Sequence, residues 1–335
     1  MKKIVVIFIC LVSMVLLFSY AASASAEKMQ VMLYSSMKDS QLSALKEAFM
    51  NKNPNVQMDY YCAGTGKVMT KMAAEKQAGK IRADIIWVGD PTNYLTFKEE
   101  GKLLAYESPE AATIPSALKD EDNYYCAARI VTLGIVYNTN NVKGEDIPKD
   151  WADLLNPRFN TYVTMTDPTF SGTTLYTVAA FVQNKEFGWE FLKQLKKNGI
   201  KIQKGSSAVV NAVGGGEYDV CIGVNYIAQS KKAKGTPVEF VYPESGISTI
   251  ASPIAIIKDS ENVEAAKLLY DFILSLDGQQ LLVDGHVIPV RPEIKMENDI
   301  SVTEAIERAI PVSDKFLLLT KDALIEQFNN IMKKD

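Results

Sequence analysis

The sequence predicts an α/β fold in two lobes with a cleft between them. Three observations carry this. Short apolar strand segments alternate with amphipathic helical ones, the pattern of a sheet covered by helices on both faces. The apolar stretch at residues 124–137 is too long for one sheet and reads as a strand crossing between lobes. Residues 249–257 read as its return, so two strands form a hinge.

Taken in order, residues 30–34 form the first strand. Ser36 or Asp39 then caps a helix that carries Leu42, Leu45 and Phe49 on one face and closes before Pro54. Residues 56–60 return as a strand. Thr65 starts a helix with Val68, Met69 and Met72 inward and Gly79 as its stop. Residues 83–88 are a continuous apolar strand of the kind buried in a parallel sheet. A second α/β unit runs from Trp151 to about Tyr242, with helices near 173–183, 189–198 and 208–213. Residues 262–276 and 302–334 are helical, the latter broken near Pro311. The expected organisation is a first lobe from 27–128 and 250–300, a second lobe from 129–249, and C-terminal helices at 301–335 packed on the lobes.

The N-terminus has a basic start (Met1-Lys-Lys3), an apolar run over residues 4–22, and Ala24-Ser25-Ala26. That is the layout of a secretory signal peptide, residues 1–26, cleaved after Ala26. Its removal leaves 34 basic side chains against 40 acidic ones, a net charge of −6. Such a chain has no overall field for nucleic acid or an anionic membrane, although a local anion site is compatible with it. Cys62, Cys126 and Cys221 remain, so at least one thiol is free. Cys62 and Cys126 could be bridged, and small buried apolar side chains are the favoured reading. There is no CxxC and no Cys/His cluster to hold zinc or an iron–sulfur group.

Enzyme chemistry finds little support. Neither G-x-S-x-G nor H-E-x-x-H occurs, and the single histidine, His286, has no nucleophile context. Thr65-Gly66-Lys67 is no nucleotide-hydrolysis loop, since Tyr61 and Val68 stand where that motif needs Gly and Ser or Thr.

The informative segments are hydroxyl-rich helix starts. Free amides and the helix dipole at such a start favour an anion. Ser171-Gly-Thr-Thr174 follows a strand directly, and related junctions occur at Tyr34-Ser-Ser-Met-Lys-Asp39, Lys204-Gly-Ser-Ser207 and Cys62-Ala-Gly-Thr-Gly-Lys67. One is ordinary capping. Several together suggest a cleft built for a small anion, because strand ends of two facing α/β lobes converge there.

Several motifs, in this order, resemble the exported solute-binding proteins of ABC importers. They are Leu33-Tyr-Ser-Ser36, Lys80-Ile-Arg-Ala-Asp-Ile-Ile-Trp87, Gly134-Ile-Val-Tyr-Asn138, Ser171-Gly-Thr173, Gly223-Val-Asn-Tyr226, Lys234-Gly-Thr-Pro-Val-Glu-Phe240 and Ser252-Pro-Ile-Ala255. The branch is the one with ferric-ion-binding, 2-aminoethylphosphonate-binding and sugar-phosphate-binding members. The resemblance implies the type II two-lobe periplasmic binding protein fold, a periplasmic monomer, no cofactor, and partners in an ABC permease with its cytoplasmic ATPase. It implies a small phosphorylated or phosphonate solute held by Ser36, Thr65, Gly66, Ser171, Gly172, Thr173, Ser207 and Asn225. Glu244 is placed beside the polar tail, for sugar hydroxyls or an ammonium group. The alternative solute is Fe³⁺. Many ferric-binding members carry two adjacent tyrosines where this chain has Asn225-Tyr226-Ile227, so iron would have Tyr226 and exogenous anions.

Overall fold

The computed structural model describes residues 28–297 and 299–333; the predicted signal peptide at 1–26 lies outside the described residues. Strand β1 (Met29–Ser35) leads into α1 (Asp39–Lys52), then β2 (Val56–Cys62) and α2 (Thr65–Gln77). Strand β3 (Ile85–Trp87) is followed by α3 (Thr92–Glu99) and the short β4 (Leu103–Leu104). Strand β5 (Cys126–Asn138) is buried over its whole length. Beyond it come β6 (Val163–Thr166), α4 (Gly172–Gln183), α5 (Gly188–Lys197), β7 (Lys201–Gln203), α6 (Ser206–Gly214) and β8 (Val220–Val224). The chain closes with α7 (Asn225–Lys232), β9 (Val238–Val241), β10 (Ser248–Ile257), α8 (Val263–Leu274), α9 (Leu276–Asp284), α10 (Val302–Glu307) and α11 (Asp314–Lys333).

The strand order is β2-β1-β3-β10-β5-β8-β6-β7, with β4 on β10 and β9 on β5. Strands β5 and β10 lie at its centre and run antiparallel, from Ser248↔Leu133 to Ile254↔Cys126, with a register shift at Ser252/Pro253. On one side β1 pairs in parallel with β2 and β3; on the other β6 pairs in parallel with β7 and β8. Each half is therefore a parallel α/β sheet, and the two long strands alone belong to both. Proline 253 sits at the register shift, where a missing amide costs no regular ladder bond.

Apolar burial explains why the elements sit where they do. Leu42, Leu45 and Phe49 recur along one face of α1 and are almost wholly buried. Val68 and Met72 do the same for α2. In the other half Trp151 stands edge-on to Phe181 at 5.0 Å, and Phe181 makes edge-to-face contacts in turn with Phe187 and Phe191.

Three helices lie outside the sequence-based assignment: α3, α7 and α9. Helix α3 begins right after Asp90-Pro91, where a turn is the natural reading, since proline suits a helix's first turn equally well. The helix expected over 262–276 is α8, which stops at Ser275; the Ser275 hydroxyl caps a further helix, α9, accepting from the Gly278 amide. The break at Pro311 spans residues 308–313. Helix α11 then packs on α3 from one half and on α4 and α5 from the other. Lys321 of α11 donates to buried Asp90 and to Asn93. Cys62, Cys126 and Cys221 are free thiols, the latter two buried.

Candidate functional site

The carboxyl ends of β1, β2 and β8, with the starts of α1, α2, α4 and α6, surround one cavity of about 340 Å³. This is the strand-end position at which open α/β sheets hold ligands. Ser171 is the N-cap of α4 and makes the densest polar knot of the wall. Its Oγ accepts from the Thr174 amide at 3.3 Å and from Thr174 Oγ1 at 3.1 Å. It also lies 3.0 Å from Thr173 Oγ1 and 3.3 Å from Ser206 Oγ of α6, so two helix starts meet here. The other three helices have Lys38, Gly64 and Gly205 at the N-cap and no side-chain cap bond. Their first-turn amides have no side-chain cap to satisfy them, and the dipoles of all four helices begin at this cavity.

Arg129, on β5, also lines the cavity and is 2% exposed. Its Nε donates to Ser252 Oγ on β10 at 3.2 Å, and Ser252 Oγ donates to the Val88 carbonyl. The guanidinium lies over the Trp87 ring at 5.4 Å. Among the described residues no atom hydrogen-bonds Nη1. Burial lowers its pKa from the usual guanidinium value, while the neighbouring Tyr226 and Tyr94 oppose that drop. A guanidinium stays protonated in such a setting, so a cation stands at the hinge with a free donor.

Two lysines complete the charge. Lys38 Nζ lies 5.3 Å from the centre of the Tyr226 ring, and Lys204 Nζ lies 5.7 Å from that of Phe170. Burial, and then the charges of Lys231 and Lys234, pull the Lys38 pKa down to about 8. Among the described residues no aspartate, glutamate or histidine lines the cavity. Among the described residues no group of three or more His, Cys, Asp or Glu could hold a metal. Cys62 lines the wall with its thiol donating to the Met37 carbonyl, and burial followed by Asp39 raises its pKa.

Of the residues singled out from the sequence, Ser36, Thr65, Ser171, Thr173 and Ser207 all line this cavity, as does Tyr226. Gly66, Gly172, Asn225 and Glu244 do not. Gly66 and Gly172 are where the two halves touch. A Cβ on Gly66 would lie 2.7 Å from the Thr169 carbonyl oxygen, and one on Gly172 would lie 2.7 Å from Asp90 Cβ. The cleft is closed, and glycine at these positions is what lets it close. Asn225 is buried with its amide committed to the Tyr242 hydroxyl at 2.6 Å and to Asp299 at 2.8 Å. Val224 is the N-cap of α7, and it lines the cavity together with Tyr226 and Ile227 of the first turn, while Asn225 does not. Glu244 is exposed in the turn beside Lys149, with no place in the wall.

Arg129, Lys38, Lys204 and Ser206 were not among the sequence-based candidates. Ser206 is the one with a local signal, as the other half of the Ser206-Ser207 pair. A single arginine in an apolar strand carries none.

Residues 80–326 match the family model described as "Bacterial extracellular solute-binding protein". The structure superposes with a TM-score of 0.82 on the periplasmic binding protein AfuA from Actinobacillus pleuropneumoniae, solved with fructose-6-phosphate bound, at 25% identity. The match covers 91% of this chain and 99% of that one. The phosphoglycerate transport regulatory protein PgtC of Salmonella typhimurium is 24% identical over 73% of this chain and 62% of its own length. The major ferric iron-binding protein of Neisseria meningitidis is 31% identical over 48% of this chain and 50% of its own length. Given a two-lobe α/β fold with its cavity at the hinge and a match over most of its length, the chain belongs to the bacterial extracellular solute-binding protein family, the non-enzymatic binding components of ABC importers.

Proposed function

We propose that this protein captures a small phosphorylated solute outside the cytoplasm and presents it to an ABC permease. The observation that carries the reading is Arg129, a buried guanidinium with an unpartnered Nη1, in the wall of a cavity lined by helix starts and, among the described residues, by no carboxylate. A phosphate there meets a charge-assisted donor from Arg129, amides from α2 and α6, and the hydroxyls of Ser171, Thr173 and Ser207. Closure across Gly66 and Gly172 removes water from these bonds and strengthens them. The relative solved with fructose-6-phosphate supports a phosphate-bearing solute.

Iron is the second reading, favoured by the likeness to the ferric iron-binding protein and by Tyr226 in the cavity wall. Its difficulty is electrostatic: Fe³⁺ would sit beside Arg129 with one phenolate and no carboxylate to offset it. The test is calorimetry on chain 27–335, stripped of ligand, against a hexose phosphate, a phosphonate, inorganic phosphate and ferric citrate. Micromolar or tighter binding of a phosphorylated compound is the expected result. Binding of ferric citrate alone, with a visible phenolate-to-iron band, would replace this reading with the second.

A further inference from the structure

Helix α11 is joined to the two halves by different chemistry. Its Leu317 and Leu324 pack with Leu175 and Ala179 of α4 in an apolar cluster of their own, against which Trp189 of α5 also rests. Among the described residues that cluster takes no side chain from the half built on β1, β2 and β3. Lys196 of α5 donates to the Met332 carbonyl at 2.8 Å, near the far end of the helix. Toward the other half the bonds are polar. Lys321 pairs with Asp90 and donates to Asn93 Oδ1 at 3.2 Å. Burial therefore fixes α11 to α4 and α5, and an ion pair ties it across to Asp90.

Asp90 connects that tie to closure. Its side chain is 1% exposed, and Gly172 at the start of α4 lies against it from across the cleft. Opening parts Asp90 from Gly172. Because α11 is packed on α4, the same motion parts Asp90 from Lys321. In the open state water solvates the carboxylate. In the closed state Lys321 is its one ion-pair partner among the described residues. Asp314, the first residue of α11, adds a second carboxylate nearby, and burial followed by the charge of Asp90 raises the Asp314 pKa. Without Lys321, closing would bury an unpaired carboxylate close to another, while the open state would lose little. We propose that Lys321 and Asp90, neither of which lines the cavity, are positioning residues for solute retention, their ion pair latching the cleft shut. The latch acts on closure itself and so serves a phosphorylated solute or iron alike.

Stopped-flow kinetics on chain 27–335, with glucose 6-phosphate and ferric citrate as the probes, test this. Lys321→Gln should release the bound probe at least about ten-fold faster and leave its association rate within about two-fold, because the latch acts only once the cleft has closed. Lys321→Arg should restore slow release. In an Asp90→Asn background, Lys321→Gln should change release by less than about two-fold, since the charge it serves is gone. An unchanged release rate, a loss confined to association, or fast release that Lys321→Arg fails to restore would overturn the proposal. Binding of ferric citrate alone would end the phosphate reading and leave the latch to be decided by the same rates. If neither probe binds, small-angle X-ray scattering of the empty proteins decides it. A larger radius of gyration for Lys321→Gln than for the unaltered chain would support the latch, and an equal one would overturn it.

Discussion

Replacing Arg129 by methionine should make the empty protein more stable and the binding protein nearly inert. With the cleft closed the guanidinium is 2% exposed, its Nε donates to Ser252 at 3.2 Å and Tyr226 stands beside it. That bond and the Trp87 contact at 5.4 Å favour arginine. They oppose the cost of burying an unpaired cation, which is several kcal/mol in a protein interior. Methionine has a similar length, packs on Trp87 and removes that cost, so a net gain of about 1–3 kcal/mol is expected. For a chain of this size that raises Tm by about 2–5 °C. With an anionic solute the sign reverses. Removing one partner of a buried charged pair costs about 3–5 kcal/mol, or roughly 150- to 4,000-fold in affinity. Differential scanning calorimetry on the empty protein and titration calorimetry with a phosphomonoester read the two effects separately. A variant that loses stability and keeps its affinity would show Arg129 to be a structural residue, and the account of the site would fail.

Three further outcomes follow from the same geometry. Gly66→Ala should strengthen α2 by about 0.5–1 kcal/mol, yet its Cβ would press on the Thr169 carbonyl at 2.7 Å and hinder closure. Solute affinity should then fall about 5- to 100-fold with no loss of ligand-free Tm, and an unchanged affinity would mean that this contact does not matter for closure. In chain 27–335 a maleimide should modify Cys62 ahead of the buried Cys126 and Cys221, slowly because burial and Asp39 raise its pKa. Saturating solute should slow that reaction about ten-fold, and an equal rate would place the solute away from the Cys62 wall. Lys38, with a pKa of about 8 and facing Lys231, Lys234 and the Tyr226 ring, sets the pH dependence. A bound anion raises that pKa, so binding takes up a proton above it: affinity should be flat below about pH 7 and fall as pH rises through 8. Affinity that climbs over that interval would exclude Lys38 from the site.

What the sequence made legible follows from how local each signal is. The starts of α2, α4 and α6 are written in contiguous residues, because Ser171, Gly205-Ser206 and Gly64-Thr65 each determine their own helix end. The β5 and β10 crossings are legible as apolar runs of unusual length. Arg129 is not, since its meaning comes from Ser252, 123 residues away, and from strand ends that converge only in the fold. Asn225 and Tyr226 are adjacent in the first turn of α7, and only the way that turn is set against the cavity decides which one lines it. Gly66 and Gly172 were expected to touch the solute, and the structure gives them contact across the cleft rather than a place in its wall.

The most direct measurement is the phosphorus NMR spectrum of a phosphomonoester titrated with the stripped protein. The account predicts a shifted, broadened phosphorus resonance that saturates at one equivalent and is absent with Arg129→Met. A phosphorus signal that stays at its free position throughout, while ferric citrate produces a visible phenolate band, would contradict it.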